Sequence, residues 1–353
     1  MKYKVIVLMI LPLVNHIAVA AASWQLPARE VPIPAGASEE LKLSIDTWPQ
    51  PDMTKYRMSP ASEAEWQAVI ERGNAIERVR IAKWPTTLKV KIDRRTIGSV
   101  KIAYLTPAVI TEKNRNRLFI HLHGGAYVIG GGDAGLGEGL MIANRLGIPV
   151  ISIDYRMPPV HPYPAAVNDV VSVYKHLLES RDPGTMMIGG TSAGGGLALA
   201  SVHKFRQIEL PFPGAVYAGT AWADLTKTGD TLYTLEGIDR GMVTYDGYLE
   251  GAAKLYAADH DMKSPLISPV YGNFEGFPPT LLITGTRDLF LSDVVRTHRK
   301  LRAADVNSDL HVYEGMAHGD YLYFIDTPET SDVFRELENF LEKHLEITSI
   351  SNR

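Results

Sequence analysis

The chain has 353 residues, 45% of them apolar and 22% charged, with a formal net charge of −4 and no cysteine. That length suits one large core, and the proportions are those of a globular protein rather than a disordered or polytopic membrane chain. Basic residues are too interspersed for a nucleic-acid surface, and without cysteine there are no disulfides, thiolate metal sites or lipidated cysteines.

Lys2 and Lys4 precede an apolar run over residues 5–14, and Ala18-Val19-Ala20 then offers small residues for cleavage. This is the pattern of an export signal over residues 1–20, with cleavage expected after Ala20 or Ala22 and a periplasmic or secreted product. The run is interrupted by Pro12 and falls short of the ~20 helical residues a hydrocarbon core requires, so no integral membrane span is expected in the mature form.

Residues 23–60 are polar and proline-rich without a sustained period, and read as an irregular arm. A helix is expected next, since Ser62 with Glu65 forms a capping box. Trp66, Val69, Ile70, Ile76 and Val79 share one helical face, with a break near Gly73. This segment is a candidate cap. Arm and cap together take residues 21–85, and residues 86–353 form the expected catalytic domain. Leu88, Val90 and Ile92, then Val100, Ile102 and Tyr104, alternate with polar residues. They predict two antiparallel strands at a sheet edge, joined by a turn over residues 93–98.

From residue 118 short apolar runs alternate with helical stretches, at 118–122, 150–153, 186–188, 215–217, 281–283 and 310–313. Such runs suit strands buried on both faces of a parallel sheet. Amphipathic segments lie between them, most clearly Val167, Val170, Val171, Tyr174, Leu177 and Leu178. A last one, Phe334, Leu337, Phe340, Leu341 and Leu345, follows the start signal Thr327-Pro328. The expected fold is α/β, a mostly parallel central sheet flanked by helices with a small cap from the N-terminal segment. Residues 222–277 carry no clear strand and are expected to form a second lid element or an excursion before the next strand.

The chemistry concentrates in three loops. Gly190-Thr191-Ser192-Ala193-Gly194 stands directly after strand 186–188 and before the apolar helical run 197–202. A nucleophile on such a strand-to-helix turn is backbone-strained, its flanking glycines avoid clashes, and the helix N-terminus favours developing negative charge. Alone the motif could be a glycine-rich turn. His123-Gly124-Gly125-Ala126-Tyr127 follows strand 118–122, and its backbone N–H groups, with that of Ala193, are suited to an oxyanion hole. His318, just past strand 310–313, is the expected base, whereas His311 and His121 lie inside strands and are expected to be structural. Asp288, after strand 281–283, is the expected acid, with Asp293 a near competitor and Glu314 a remoter one.

The order Ser192, Asp288, His318 is that of the α/β-hydrolases, and the details resemble the hormone-sensitive-lipase-like (bacterial family IV) esterases. His123-Gly124-Gly125 matches that family's oxyanion motif, Tyr155-Arg156-Met157-Pro158 with His161 to Ala166 its loop and helix start, and Ile267-Ser268-Pro269 a shorter segment. The resemblance implies an α/β-hydrolase fold, oxyanion donors at Gly124, Gly125 and Ala193, Asp288 as the acid, and an N-terminal cap over the acyl pocket. It also implies that His123 holds its loop rather than acting as a base, and that Tyr155 and Arg156 are structural. The sequence departs from the family at Ala126, where a third glycine is usual, at Thr191, where aspartate is commoner, and in a longer spacing from Asp288 to Asp293.

The activity so implied is hydrolysis of short-chain acyl esters or lactones through a covalent acyl-enzyme, with no cofactor and no metal. Two alternatives stand beside it. One is amide or acetyl-group hydrolysis by the same triad; the other is a hydrolase-fold binding protein without chemistry, which would lack the nucleophile, base or donor loop. The expected partner is a small-molecule ester, not nucleic acid, with a homodimer left open.

Overall fold

The apolar runs become an eight-stranded sheet among the residues described, 27–28 and 30–346 of a computed structural model. The expected signal segment lies outside the described residues. The chain divides into two units, Met1–Pro32 and Ile33–Arg353, and every described strand and helix belongs to the second.

The strands are β1 Val90–Ile97, β2 Val100–Pro107, β3 Leu118–Leu122, β4 Val150–Asp154, β5 Met186–Thr191, β6 Ala215–Gly219, β7 Thr280–Gly285 and β8 Ser308–Tyr313. Their spatial order is β1-β2-β4-β3-β5-β6-β7-β8. Pairing is antiparallel for β1 with β2 and β2 with β4, and parallel across the rest. The helices are α1 Glu39–Thr47, α2 Met53–Tyr56, α3 Glu63–Ile81, α4 Trp84–Thr87, α5 Gly137–Leu146 and α6 Ala165–Leu178, followed by α7 Ala193–Gln207, α8 Thr231–Thr234, α9 Tyr248–Ala257, α10 Leu291–Ala303 and α11 Pro328–His344.

Alternation along each strand divides the core in two. Leu118, Ile120 and Leu122 of β3 join one apolar cluster with residues of α6 and α7, while Phe119 joins the other, with residues of α5 and α11. Strands buried on both faces need apolar residues at every position, which is why β3 and β5 to β7 read as continuous apolar or small-residue runs. Among the described residues no helix is long and apolar enough to cross a membrane.

Four local expectations change. The arm is not irregular throughout: α1 forms because Ser38 caps it, accepting from Leu41 N at 3.1 Å, and because Ser38 N and Oγ both bond Glu329 of α11 at 2.7 Å. A tertiary contact there overrides a weak local pattern. Helix α3 runs unbroken through Gly73, where a Cβ would lie 2.6 Å from Ile129 Cδ1; the glycine permits close approach rather than ending the helix. Its capping box is half formed, since Ser62 Oγ accepts from Glu65 N at 3.3 Å but the Glu65 carboxylate accepts from Ala61 N at 2.7 Å. The turn expected over 93–98 shrinks to Gly98 and Ser99, because Ile97 pairs with Val100. Its polar residues belong to a half-exposed edge strand, where charge is favoured.

Residues 222–277 pack as an excursion into the core. Trp222, Leu225, Tyr245, Leu249 and Tyr256 are buried there, and no strand forms in the segment.

Candidate active site

Ser192 lies between β5 and α7 with φ 63° and ψ −125°, a left-handed backbone that costs a non-glycine residue about 1–3 kcal/mol and persists only where the surroundings hold it. They hold it from both sides. Ser192 N donates to Gly219 O at 2.8 Å, and Ser192 O accepts from Gly196 N and Trp222 N at 3.0 Å each. At Gly194 a Cβ would sit 1.9 Å from Leu122 O, so α7 can begin against the end of β3 only with glycine there.

The chain leaves β3 at Leu122 into the glycine loop. A Cβ on Gly124 would be 3.3 Å from that of Ser192, which sets this loop directly against the elbow. Gly125 O accepts from Val128 N and Ile129 N at 3.0 and 2.8 Å, closing a tight turn. Ala126, where a third glycine is usual, adopts φ 53°. Ala193 is the first residue of α7, where an N–H has no acceptor within the helix. The cap helix supports the far end of the loop, since Gly130 N donates to the buried Asn74 Oδ1 of α3 at 2.7 Å.

His123 Nδ1 is 2.7 Å from Gly124 O, and since a carbonyl only accepts, Nδ1 carries the proton. The ring stacks on Tyr155 at 4.1 Å, and the Tyr155 hydroxyl donates to His123 O at 2.7 Å. Burial, partly offset by the bond to Gly124, lowers this imidazole to about 4. His123 and Tyr155 thus brace the loop, while Arg156 pairs with Asp169 of α6 at 2.7 Å.

His318, in the loop after β8, is buried, with Nδ1 2.9 Å from Asp288 Oδ1. Asp288, fully buried after β7, is itself fixed: Oδ1 also accepts from Phe290 N at 3.0 Å and Oδ2 from Thr284 Oγ1 at 2.6 Å. The Phe290 ring meets the imidazole edge-on at 4.9 Å. Burial alone would lower His318, but Asp288, by charge and hydrogen bond, and then Asp239 and Asp320 outweigh it and raise it above its ordinary 6.5. With Nδ1–H given to Asp288, Nε2 is buried and has no hydrogen-bond partner.

The competing groups lie elsewhere. Asp293, in the first turn of α10, accepts from Asp224 N at 3.0 Å and lies 4.0 Å from Arg296; burial and Asp224 raise its carboxyl well above the ordinary range. Glu314 is exposed. His311 sits 3.9 Å from Glu336, and His121 is buried in β3 with Nδ1 2.9 Å from Ser152 Oγ.

Ser192, His318, Gly124 and Gly125 line one cavity of about 470 Å³. Ile76 and Arg80 of α3 form part of its wall, with Met242 and Tyr248 from the 222–277 excursion. Arg80 ties cap to the loop that carries His318: it donates to Glu77 at 2.6 Å and to Leu322 O at 2.8 Å, between the rings of Trp84 and Tyr323. Among the described residues, no group of three or more His, Asp or Glu is gathered as a metal site needs.

Sequence reasoning missed the carboxylates beneath His318. Asp239 Oδ2 accepts from Leu289 N at 2.8 Å and His318 N at 3.3 Å, while Oδ1 accepts from Gly241 N and Met242 N. Asp320 accepts from Ala317 N at 2.6 Å and pairs with buried Arg240; burial outweighs that partner and pushes its carboxyl up to about 7. Asp239 and Arg240 fall in an aperiodic stretch with no motif around them, so only the two flanking glycines, Gly237 and Gly241, hinted at a turn.

A family profile described as alpha/beta hydrolase fold matches residues 119–322. The crystal structure of an esterase E25 is similar at 46% identity and a TM-score of 0.90, covering 92% of this chain and 99% of that one. An esterase from the bacterial hormone-sensitive lipase (HSL) family is similar at 28% identity and a TM-score of 0.68, covering 78% and 98%. An acetyl-hydrolase of Streptomyces hygroscopicus is 33% identical over 199 residues, which is 56% of this chain and 64% of that protein, just short of two thirds of its length.

Proposed function

The chain belongs to the hormone-sensitive-lipase-like esterases of the α/β-hydrolase superfamily and is a carboxylic ester hydrolase, and from that premise we propose that Ser192, His318 and Asp288 form its triad and that it acts on short-chain acyl esters or lactones. One observation carries the reading: His318 gives Nδ1–H to Asp288 and keeps a buried, partnerless Nε2 in a cavity it shares with Ser192 and the glycine loop.

In the forward step Nε2 accepts the Ser192 hydroxyl proton while Oγ bonds to the ester carbonyl carbon. Charge on the carbonyl oxygen is met by the N–H groups of Gly124, Gly125 and Ala193, each such donor accounting for about 3 kcal/mol of transition-state stabilisation. The imidazolium, stabilised by Asp288, returns its proton to the departing alcohol. Water, deprotonated by the same Nε2, then bonds to the acyl carbon; as the C–Oγ bond breaks and the acid leaves, the imidazolium returns the proton to Ser192 Oγ.

A small acyl group fits a cavity of this volume walled by the cap helix, and similarity to the Streptomyces acetyl-hydrolase supports the same substrate size. The test is a series of p-nitrophenyl esters graded by acyl length, with lactones, acetylated sugars and matched acetyl amides, run on the native chain and on Ser192→Ala. Hydrolysis concentrated on the shortest esters and abolished in Ser192→Ala is expected. Full p-nitrophenyl acetate hydrolysis by Ser192→Ala contradicts the triad, and preference for the amide moves the substrate class.

The same reading includes export with cleavage near Ala20 or Ala22, supported by the basic, apolar and small-residue order of residues 1–20, and leaves a homodimer open. N-terminal sequencing of protein from the periplasmic fraction tests the export, which an uncleaved cytoplasmic product contradicts; light scattering of the purified chain decides between monomer and homodimer.

A further inference from the structure

Beside the elbow, in the wall of the same cavity, lies a buried carboxylate that the acyl-transfer mechanism does not use. Glu138 is the second residue of α5, 6% exposed, at the helix end where the dipole favours an anion. Its Oε2 accepts from Thr191 N at 3.0 Å and lies 3.3 Å from His121 Nε2; its Oε1 accepts from Thr191 Oγ1 at 2.5 Å.

The sheet explains why a carboxylate is wanted there. The β3–β5 ladder stops at His121 opposite Gly189, because β3 turns away into the glycine loop. Two residues further along β5, Thr191 has lost that neighbour, and a buried N–H without an acceptor is costly. Glu138 supplies the acceptor in place of the departed strand. With its other contact it touches His121, the last residue of β3 in that ladder. The hydroxyls line up behind it: since a carboxylate only accepts, Thr191 Oγ1 donates to Glu138 and receives from Tyr321 at 2.7 Å, and Tyr321 in turn receives from Tyr217 at 3.1 Å.

We propose that Glu138 is a positioning residue, a single carboxylate that fixes the distance between the oxyanion donors at the end of β3 and the nucleophile at the end of β5. It lines the same cavity, but its bonds are to Thr191 and His121 rather than to Ser192, so it acts on the reacting groups through them. Its effect falls on the transition state, because the donor-to-nucleophile spacing matters most when the oxyanion forms, so the loss belongs in kcat rather than KM.

This inference rests on Ser192 being the nucleophile, and the experiment separates the two. Glu138→Gln, Thr191→Val and the double variant are assayed with native protein and Ser192→Ala, with rates normalised to sites titrated by a fluorophosphonate. A trifluoromethyl ketone serves as an oxyanion-forming inhibitor. Each single variant is expected to lose about tenfold in kcat per titrated site with KM within about twofold, and the ketone's affinity to weaken in parallel. The double variant is expected to lose little more than either single one, since both changes break one linkage. Native kcat per titrated site in Glu138→Gln and Thr191→Val overturns the proposal, as do strictly additive losses. Thr191→Val replaces only a hydroxyl by a methyl group, so the test survives if Glu138→Gln fails to fold. An active Ser192→Ala overturns the nucleophile reading instead, whatever Glu138 does.

Discussion

The two halves of the site are held by different means. On the side of the proposed nucleophile, Ser192 is fixed by main-chain bonds to Gly219, Gly196 and Trp222 and by the absence of a side chain at Gly194, with one carboxylate, Glu138, bonded to the neighbouring Thr191. On the base side, His318 is surrounded by the carboxylates Asp288, Asp239 and Asp320. Shape therefore sets the first half and charge the second, and the second is where pH and single-charge substitutions act most directly.

Substitutions within the triad make the sharpest contrast. Ser192→Ala is expected to lose about 10⁴-fold or more in kcat, and Asp288→Asn about 10³- to 10⁴-fold, since an amide cannot hold the imidazole in the tautomer the reaction needs. Asp293→Asn, which leaves His318 untouched, is expected to keep kcat within severalfold while shifting thermal stability. Steady-state kinetics on the three variants checks the assignment. Equal losses from Asp288→Asn and Asp293→Asn contradict it.

The next effect is the pH profile. As the proposed base His318 works only when neutral, and it is raised above 6.5. Activity should therefore be lost as pH falls through that raised value, and the acid limb of kcat/KM is expected to have its midpoint above 6.5. Asp239→Asn removes one of the charges that raise it, so the midpoint should move down. The same change loosens the bonds to Leu289 N and His318 N, and kcat should fall about tenfold. A pH–rate series on native and variant protein reads both. An unmoved acid limb in Asp239→Asn would mean that this carboxylate acts only as a backbone clamp.

The smallest expected effect lies at the cap. Arg80→Lys keeps the charge but loses the fork that joins Glu77 to Leu322 O between two rings. A severalfold change in KM with kcat retained is expected from kinetics across the acyl series. A fall in kcat instead would place Arg80 with the base loop rather than the pocket wall.

The same division decides what could be read from the chain. The nucleophile half was legible because glycines and buried strands leave local marks: residues 118–122 became β3 with no change of boundary, and Ser192 lies at the strand-to-helix turn the motif implied. Asp288 was read as the acid ahead of Asp293 and Glu314; the contact that sets it apart, 2.9 Å to His318 Nδ1, joins two loops 30 residues apart, while Asp293 bonds Asp224 N and lies near Arg296. Asp239, Asp320 and Glu138 left no local mark, because each has a partner far away in sequence: Leu289 N and His318 N for Asp239, the Arg240 side chain for Asp320, and Thr191 for Glu138. Helix α1 was missed for the same reason: its anchor, Glu329, is 291 residues from Ser38.

The catalytic assignment turns on one covalent bond. A fluorophosphonate should label the native chain once, with the adduct on the peptide carrying Ser192, and labelling should be lost in Ser192→Ala and strongly slowed in His318→Ala. An adduct on another serine, or undiminished labelling of Ser192→Ala, would contradict it.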